Sequence, residues 1–387
     1  MLVTILENQK DFGNQYKRSW QNKQRNAFTD KFKIIVRDIS GTTFEQPTQN
    51  DLCQRINHTI HMRNYLGQVI GDWKWLKESF TLAEHYGARR VCHLCEAVKS
   101  GIGPRFDDFD SNAGHRTTTR SHDDWVSSFA SPPPLATMPG FKLCMLVCDP
   151  MHCLHLGVLQ WAIGCMLVIL AGEGLWGTFT GERKPRLDKA LRIAYGQFKA
   201  WCKARACYLS QPTFTANCIN RGDNGANNFP EFKGKAANAR WVTLWLCDLL
   251  YRSGPAHELE SGLFWGLCEM LHIMHMWPGP WLRADDSSRF ARACRVALLS
   301  NAALARAARA DGLPLWCIKP KHHQLDHLGA VVQATHVNPK YQWAFCDEDF
   351  NGKVTKIARV CNQPHLFSRR VVEKYSLHVW LGLEKHI

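Results

Sequence analysis

The stretch Cys92-His93-Leu94-Cys95 contains two cysteines separated by two residues. Two thiolates at this spacing can bind one tetrahedral zinc ion through a tight turn of the backbone. A single pair of this kind is also found in helical or buried segments that bind no metal, and the chain has no second CxxC pair. A zinc site therefore needs two further ligands from a distant part of the sequence.

Three histidines near residue 320 are the natural source of these ligands. His323 and His327 lie four residues apart, and therefore on one face of a helical turn. His322 and His327 are a workable alternative pair. The competing interpretation is that these histidines are exposed or cap a helix. If one pair joins Cys92 and Cys95, the zinc is structural and connects segments more than two hundred residues apart in the chain.

Carboxylates near both groups could bind a harder metal ion. Asp72 directly follows the apolar segment YLGQVIG, which is typical of a strand, so its carboxylate is expected at a strand end. Glu348 lies within Asp347-Glu348-Asp349, at the start of an amphipathic helix predicted from about Asp347. Acids in a first helical turn are also favoured by the helix dipole, which explains the triplet without a metal. Divalent ions such as Mg²⁺ prefer oxygen ligands of this type.

The motif Asp149-Pro150-Met151-His152 stands at the predicted start of an apolar helix. An acid and a histidine three residues apart at such a position can cap the helix and orient one another. A cap with a hydrogen-bonded histidine explains this motif as well as a role in catalysis does.

The elements that must position these residues follow from the distribution of apolar, Gly and Pro residues. Three consecutive prolines at 132–134 forbid a helix there, and Asp311-Gly312 is a predicted helix stop. After residue 315 the sequence mixes strand-like apolar pieces with the final amphipathic helix. We therefore divide the chain into a polar segment 1–60, a first core part 61–98, a loop 99–140, a helical insertion 141–314 and a second core part 315–387.

The charge of the chain favours a polyanionic partner. Lys and Arg number 48 against 34 Asp and Glu, which gives a formal net charge of +14. A basic balance of this size favours nucleic acid first and an anionic membrane surface second. We expect DNA as the partner and no membrane.

Cysteine usage and the first residues of the sequence indicate the compartment. The sixteen cysteines are scattered, many of them inside apolar helical runs, and the N-terminal residues contain no apolar signal core. We therefore expect a reducing compartment, the nucleus or the cytoplasm. Residues 153–171 approach the length of a membrane-spanning helix, but they contain a histidine and a glutamine, and a buried core helix is the preferred interpretation.

The order of these motifs along the chain is informative. Asp72 is followed about twenty residues later by CHLC at 92–95, then by DPMH at 149–152 and a long helical stretch. PKHHQLDHL at 320–328 comes next, and Glu348 follows within WAFCDEDFNGKV. This order resembles the catalytic core of CACTA-type DDE transposases and, more distantly, the catalytic subunit of the V(D)J recombinase. The segment FKGKAANAR also resembles a family segment, and the resemblance covers roughly residues 60 to 360.

The resemblance implies an α-rich α/β fold in which an RNase H-like core is interrupted by a long, mainly helical insertion. It also implies three carboxylates that bind two Mg²⁺ or Mn²⁺ ions for cleavage and strand transfer of DNA phosphodiesters. Asp72 would be the second of these acids and Glu348 the third. The structural zinc site that the resemblance implies consists of Cys92, Cys95, His323 and His327.

The first acid is where this sequence departs from the family pattern. In the family it lies on the first strand, well before the second acid, whereas only 71 residues precede Asp72. Asp38, at the end of the strand-like segment FKIIVRD, is the one internal candidate. We therefore expect a transposase-derived DNA-binding protein that is N-terminally incomplete or decayed and that cleaves DNA poorly or not at all.

Two other functions fit parts of this pattern. A non-catalytic, zinc-stabilised protein that binds nucleic acid or another partner would keep the zinc ligands and lack a first carboxylate. A zinc deaminase requires H-x-E together with P-C-x-x-C, but Val91 precedes Cys92 and no H-x-E lies nearby. The presence of a first catalytic carboxylate would distinguish the transposase from the non-catalytic protein. A homo-oligomer is compatible with either function.

Overall fold

The computed structural model describes residues 68–137, 140–221, 228–359, 370–371, 373–375 and 377 of the chain. The strand-like segment that ends at Asp38 lies outside these residues. The chain divides into two compact units. The larger unit comprises residues 70–121 and 146–343, and the described part of the smaller unit lies mostly in 122–145 and 344–359.

Two short parallel strands form the only sheet within the described residues. Strand β1 is Val69–Gly71 and strand β2 is Leu146–Cys148. Helix α1 (Trp73–Ser79) follows β1 directly, because the Asp72 carboxylate accepts a hydrogen bond from the Trp75 amide at 2.8 Å. Such a cap satisfies one of the amide groups that the first turn of a helix leaves unpaired. The prediction that Asp72 follows a strand is confirmed.

Helices make up most of the described chain. After α1 they are α2 (His122–Ser127), α3 (Leu159–Gly172), α4 (Arg183–Ala204), α5 (Ala236–Ser253), α6 (Glu258–Met276), α7 (Ala284–Ala310), α8 (Pro320–Thr335) and α9 (Phe345–Arg359). The predicted helix-rich character is confirmed. The strand-like interpretation of the apolar pieces after residue 315 is wrong, because α8 occupies most of that stretch up to residue 335.

Close backbone packing joins the consecutive helices α6 and α7 of the larger unit. A Cβ atom added to Gly266 in α6 would lie 2.5 Å from the Ala293 carbonyl oxygen in α7, a distance that real side chains do not reach. Helix α7 ends at Ala310, and Gly312 then adopts a φ of +67°, which L-residues with a side chain avoid. The predicted helix stop is confirmed.

The apolar segment after Asp149 forms the central helix of the larger unit. A wide, π-helical stretch (Met151–Val158) bends at Leu156 and continues into α3. The combined helix is long and apolar enough to cross a membrane, but 78% of its most apolar window is buried inside the structure. Burial of this kind is typical of the central helix in a helical bundle.

In the smaller unit, α9 is amphipathic. Val354 and Ile357 are buried and pack with Val371, whereas Lys356 is exposed. The predicted apolar face is therefore confirmed for these two residues, and the helix begins at Phe345, two residues before the predicted start. Within the same unit, α2 buries Trp125 in an aromatic cluster.

Candidate metal centre

The Cys92–Cys95 segment forms a tight, buried turn. The Val91 amide donates a hydrogen bond to the Ala97 carbonyl oxygen at 3.0 Å and closes the turn. Inside it, the Leu94 amide donates to Cys92 Sγ at 3.3 Å. Burial raises the pKa of the Cys92 thiol, and this backbone hydrogen bond offsets part of that rise.

Helix α8 supplies two histidines to this turn. The helix begins at Pro320, where the missing N–H of proline leaves no hydrogen bond unmade. His323 and His327 lie one turn apart on the same face of α8. His323 is fully buried and His327 is partly buried.

The four side chains converge on a space of metal-ion size. Cys92 Sγ lies 3.4 Å from His327 Nε2, and Cys95 Sγ lies 3.2 Å from His323 Nε2. The two Nε2 atoms are 3.1 Å apart, and all four ligand atoms lie within 4.8 Å of one another. The bond lengths of a tetrahedral zinc ion place its sulfur and nitrogen ligands about 3.3 to 3.8 Å apart. The side chains therefore form a buried cluster that could bind a metal such as zinc.

His322, the alternative ligand, has other partners. Its Nδ1 accepts a hydrogen bond from the Lys319 amide at 3.1 Å, and its ring stacks on Trp161 at 5.7 Å between centroids. Of the two histidine pairs that the sequence left open, the structure brings His323 and His327 to the cysteines.

Burial and hydrogen bonds shift the pKa values of the side chains in this cluster. Burial raises the pKa of the Cys92 thiol, whereas a hydrogen bond from Cys92, followed by those from His323 and His327, lowers the pKa of Cys95. Burial lowers the pKa of His323, so its imidazole is neutral at pH 7. Metal binding requires both sulfur atoms to be thiolates and both Nε2 atoms to be unprotonated, so it displaces the protons that these atoms carry.

A charged network next to this cluster was missed by the sequence analysis. Asp326 on α8 accepts hydrogen bonds from His115 Nε2 at 2.9 Å and from the Arg116 guanidinium at 2.7 Å. The His115 ring in turn packs edge-on against His323 at 4.6 Å. Burial alone would raise the pKa of Asp326, but the hydrogen bond from His115 and the charge of Arg116 lower it below its ordinary value.

The only sequence signal for this network was the position of Asp326, one residue before His327. Its partners lie in the predicted loop 99–140, 210 and 211 residues away, and no spacing rule connects them. The network connects His115 and Arg116 to α8 beside the metal-ligating face.

We expect Asp326→Ala to lower the free energy of unfolding by about 3 kcal/mol, because it leaves the buried His115 and the partly buried Arg116 without their acceptor. Asp107→Ala is the matched control. Asp107 pairs with Arg105 at the surface, where such pairs contribute less than about 1 kcal/mol. Chemical denaturation of both variants measures the difference, and equal stabilities would contradict a structural role of the Asp326 network.

The predicted acids have different surroundings. Asp72 follows β1 and Asp149 follows β2, so both lie at the carboxyl edge of the parallel pair. Asp149 is 1% exposed; its carboxylate accepts from the Met151 amide at 2.9 Å and pairs with His152 Nδ1. The capping interpretation of the Asp149 and His152 motif is confirmed.

The third predicted acid, Glu348, belongs to α9. The described residues include the backbone of this helix but not the Glu348 side chain, and Asp38 lies outside them altogether. The structure therefore leaves the prediction of a three-carboxylate site as a prediction.

No family model, curated protein or solved structure matches this chain. Any functional assignment consequently depends on the order of the motifs and on the geometry of the Cys/His cluster.

Proposed function

We propose that this protein is a transposase-derived DNA-binding protein whose core is related to the two-metal DDE transposases. The observation that carries the proposal is the convergence of Cys92 and Cys95 with His323 and His327 across more than two hundred residues. The motif order predicted this pairing, with an acid about twenty residues outside each half of the cluster. In this proposal the ion is a structural zinc that connects the two parts of a split core.

The order of the secondary structure supports an RNase H-like core. Strand β1, helix α1 and strand β2 give two parallel, hydrogen-bonded strands joined by a helix-containing connection. Parallel strands require such a crossover. A long helical segment then separates β2 from α9, the helix that carries Glu348. This order is the one that the proposal requires, with a helical insertion between the last core strand and the final core helix.

The proposal assigns the catalytic carboxylates to Asp72, Glu348 and Asp38. Two Mg²⁺ or Mn²⁺ ions held by such acids activate the attacking oxygen and stabilise the leaving oxygen of a phosphodiester. The contribution of this chain is to supply the oxygen ligands. Asp72 also caps α1, which fixes its backbone at the end of β1.

Metal-dependent nicking of labelled duplex DNA tests the assignment. Two carboxylates hold two ions poorly, so we expect the protein to bind DNA and to nick it slowly or not at all unless Asp38 completes the site. If it does, Asp38→Asn, Asp72→Asn and Glu348→Gln should each reduce nicking by about 100-fold or more. Asparagine is the informative replacement for Asp72, because its side-chain oxygen still caps α1 while the negative charge is lost.

Asp107→Asn, at a partly exposed acid that pairs with Arg105, is the control for the loss of one charge. Efficient nicking that survives both Asp72→Asn and Glu348→Gln would refute the assignment of both acids. Nicking that is lost in those two variants but retained in Asp38→Asn would keep the fold proposal and remove Asp38 from the site.

A non-catalytic, zinc-stabilised protein that binds nucleic acid or another partner is the second candidate. This candidate is favoured because Asp72 and Asp149 each accept a backbone amide hydrogen bond at the start of a helix. A helix cap explains both acids without a catalytic metal. DNA binding with one structural zinc and no nicking in Mg²⁺ or Mn²⁺ would select this candidate.

A further inference from the structure

Arg240, on the second turn of α5, is a partly buried cation without an acidic partner. One terminal nitrogen lies 2.5 Å from His275 Nε2, and the guanidinium stacks on the Trp241 ring at 4.1 Å from its centroid. Its Nε is enclosed and has no hydrogen-bond partner. In the part of the chain that the structure describes, no carboxylate forms an ion pair with it.

The histidines around Arg240 are neutral and supply no negative charge to balance it. His275 Nδ1 lies 2.8 Å from the Leu271 carbonyl oxygen and donates to it, so Nε2 is the acceptor for Arg240 in a neutral ring. Burial, followed by the charges of Arg240 and His275, lowers the pKa of the nearby His155 to about 3. Lys340 acts on His275 in the same direction. Each of these groups disfavours a proton on its neighbours.

Arg120, a largely buried arginine of the larger unit, differs from Arg240 in having an acidic partner. Arg120 has only 11% of its side chain exposed, and it is paired with Glu84 at 2.7 Å. Transfer of a charged group out of water is costly unless it is paired, so an unpaired guanidinium is expected to have a partner that is not part of the described protein. Burial lowers the pKa of Arg240, as expected for an uncompensated charge.

We propose that Arg240 binds a phosphate group. Phosphate suits the site because guanidinium donors match its oxygen atoms in position and charge. His275, the acceptor for Arg240, also packs against the Trp343 ring, with 5.4 Å between the ring centroids. The phosphate can come from a free phosphate or phosphomonoester or from the backbone of a nucleic acid. This site does not depend on the proposed DNA cleavage or on the zinc cluster.

Titration of the full-length protein with inorganic phosphate tests the proposal. Isothermal calorimetry and the melting temperature should both report binding to the wild type. Arg240→Gln should weaken phosphate binding by about 10-fold or more, because a charge-assisted hydrogen bond is lost. Arg252→Gln, which removes an exposed arginine paired with Asp248 on the same helix, is the matched control and should bind as the wild type does.

The stability of the phosphate-free variants separates binding from folding. Removal of an uncompensated charge should leave the melting temperature of Arg240→Gln unchanged or raise it, whereas a purely structural arginine would lower it. Wild-type protein that binds no phosphate, or Arg240→Gln that binds it as tightly as the wild type, would overturn the proposal.

The same variants titrated with a short DNA duplex distinguish the two sources. Loss of both phosphate and DNA affinity in Arg240→Gln assigns the site to a nucleic-acid backbone. Loss of phosphate affinity with unchanged DNA affinity assigns it to a small phosphate ligand. A protein that binds phosphate through Arg240 and no DNA at all would refute the proposed function while leaving this site intact.

Discussion

Purified protein is expected to contain about one zinc ion per chain, and Cys92→Ser is expected to lose it together with several kcal/mol of stability. The ligands connect the Cys92–Cys95 turn to α8 across 228 and 235 residues of chain. Zinc binding in small domains contributes about 10 kcal/mol or more to folding, and a whole domain is stable by only about 5 to 15 kcal/mol. Elemental analysis and calorimetric melting measure both effects.

Two controls separate metal loss from a general effect of substitution. Cys144 is exposed and outside the cluster, so Cys144→Ser should keep both the zinc and the melting temperature. His322→Ala should keep the zinc, whereas His323→Ala should lose it, because only His323 of the two lies at the cysteines. Zinc-free protein that melts at the same temperature as the metal-loaded protein would refute a structural zinc.

The affinity for duplex DNA is expected to fall by about 1,000-fold or more between 50 and 200 mM salt. The physical reason is counterion release: a protein that makes about six to ten phosphate contacts loses this much affinity over that range. The net charge of +14 supplies enough cationic side chains for such an interface. Fluorescence anisotropy at a series of salt concentrations gives the slope, and the slope gives the number of phosphates contacted.

A duplex analogue with an uncharged backbone is the control for this measurement. It should bind weakly and with little salt dependence, since it has few counterions to release. A DNA affinity that stays flat over the salt series, or equal binding of the uncharged analogue, would contradict binding through phosphate contacts.

Features set by neighbouring residues could be predicted from the sequence. The stop of α7 at Asp311-Gly312 depends on one backbone conformation, and the cap at Asp149 depends on amide groups two and three residues away. The apolar face of α9 follows from the helical period. In each case the energetic preference and the residues that express it lie within one or two helical turns.

The segment after residue 315 was predicted to be strand-like because its hydrophobic periodicity is weak, but it forms helix α8. The apolar run inside α8 is short, and short apolar runs do not distinguish the two periods. Tertiary packing favours the helix, because α8 buries Leu325, Leu328 and Val332 in the core of the larger unit.

The sequence alone determined the residue types of the metal cluster and the approximate place of its two halves. Only the tertiary structure decided between His322 and His323, because one residue rotates a helical side chain by about 100° and the choice depends on where the cysteine turn lies. The partners of Asp326 and the isolation of Arg240 were likewise invisible in the sequence. Such contacts join residues 35 to 211 positions apart, and their geometry is set by the packing of whole helices rather than by any local preference.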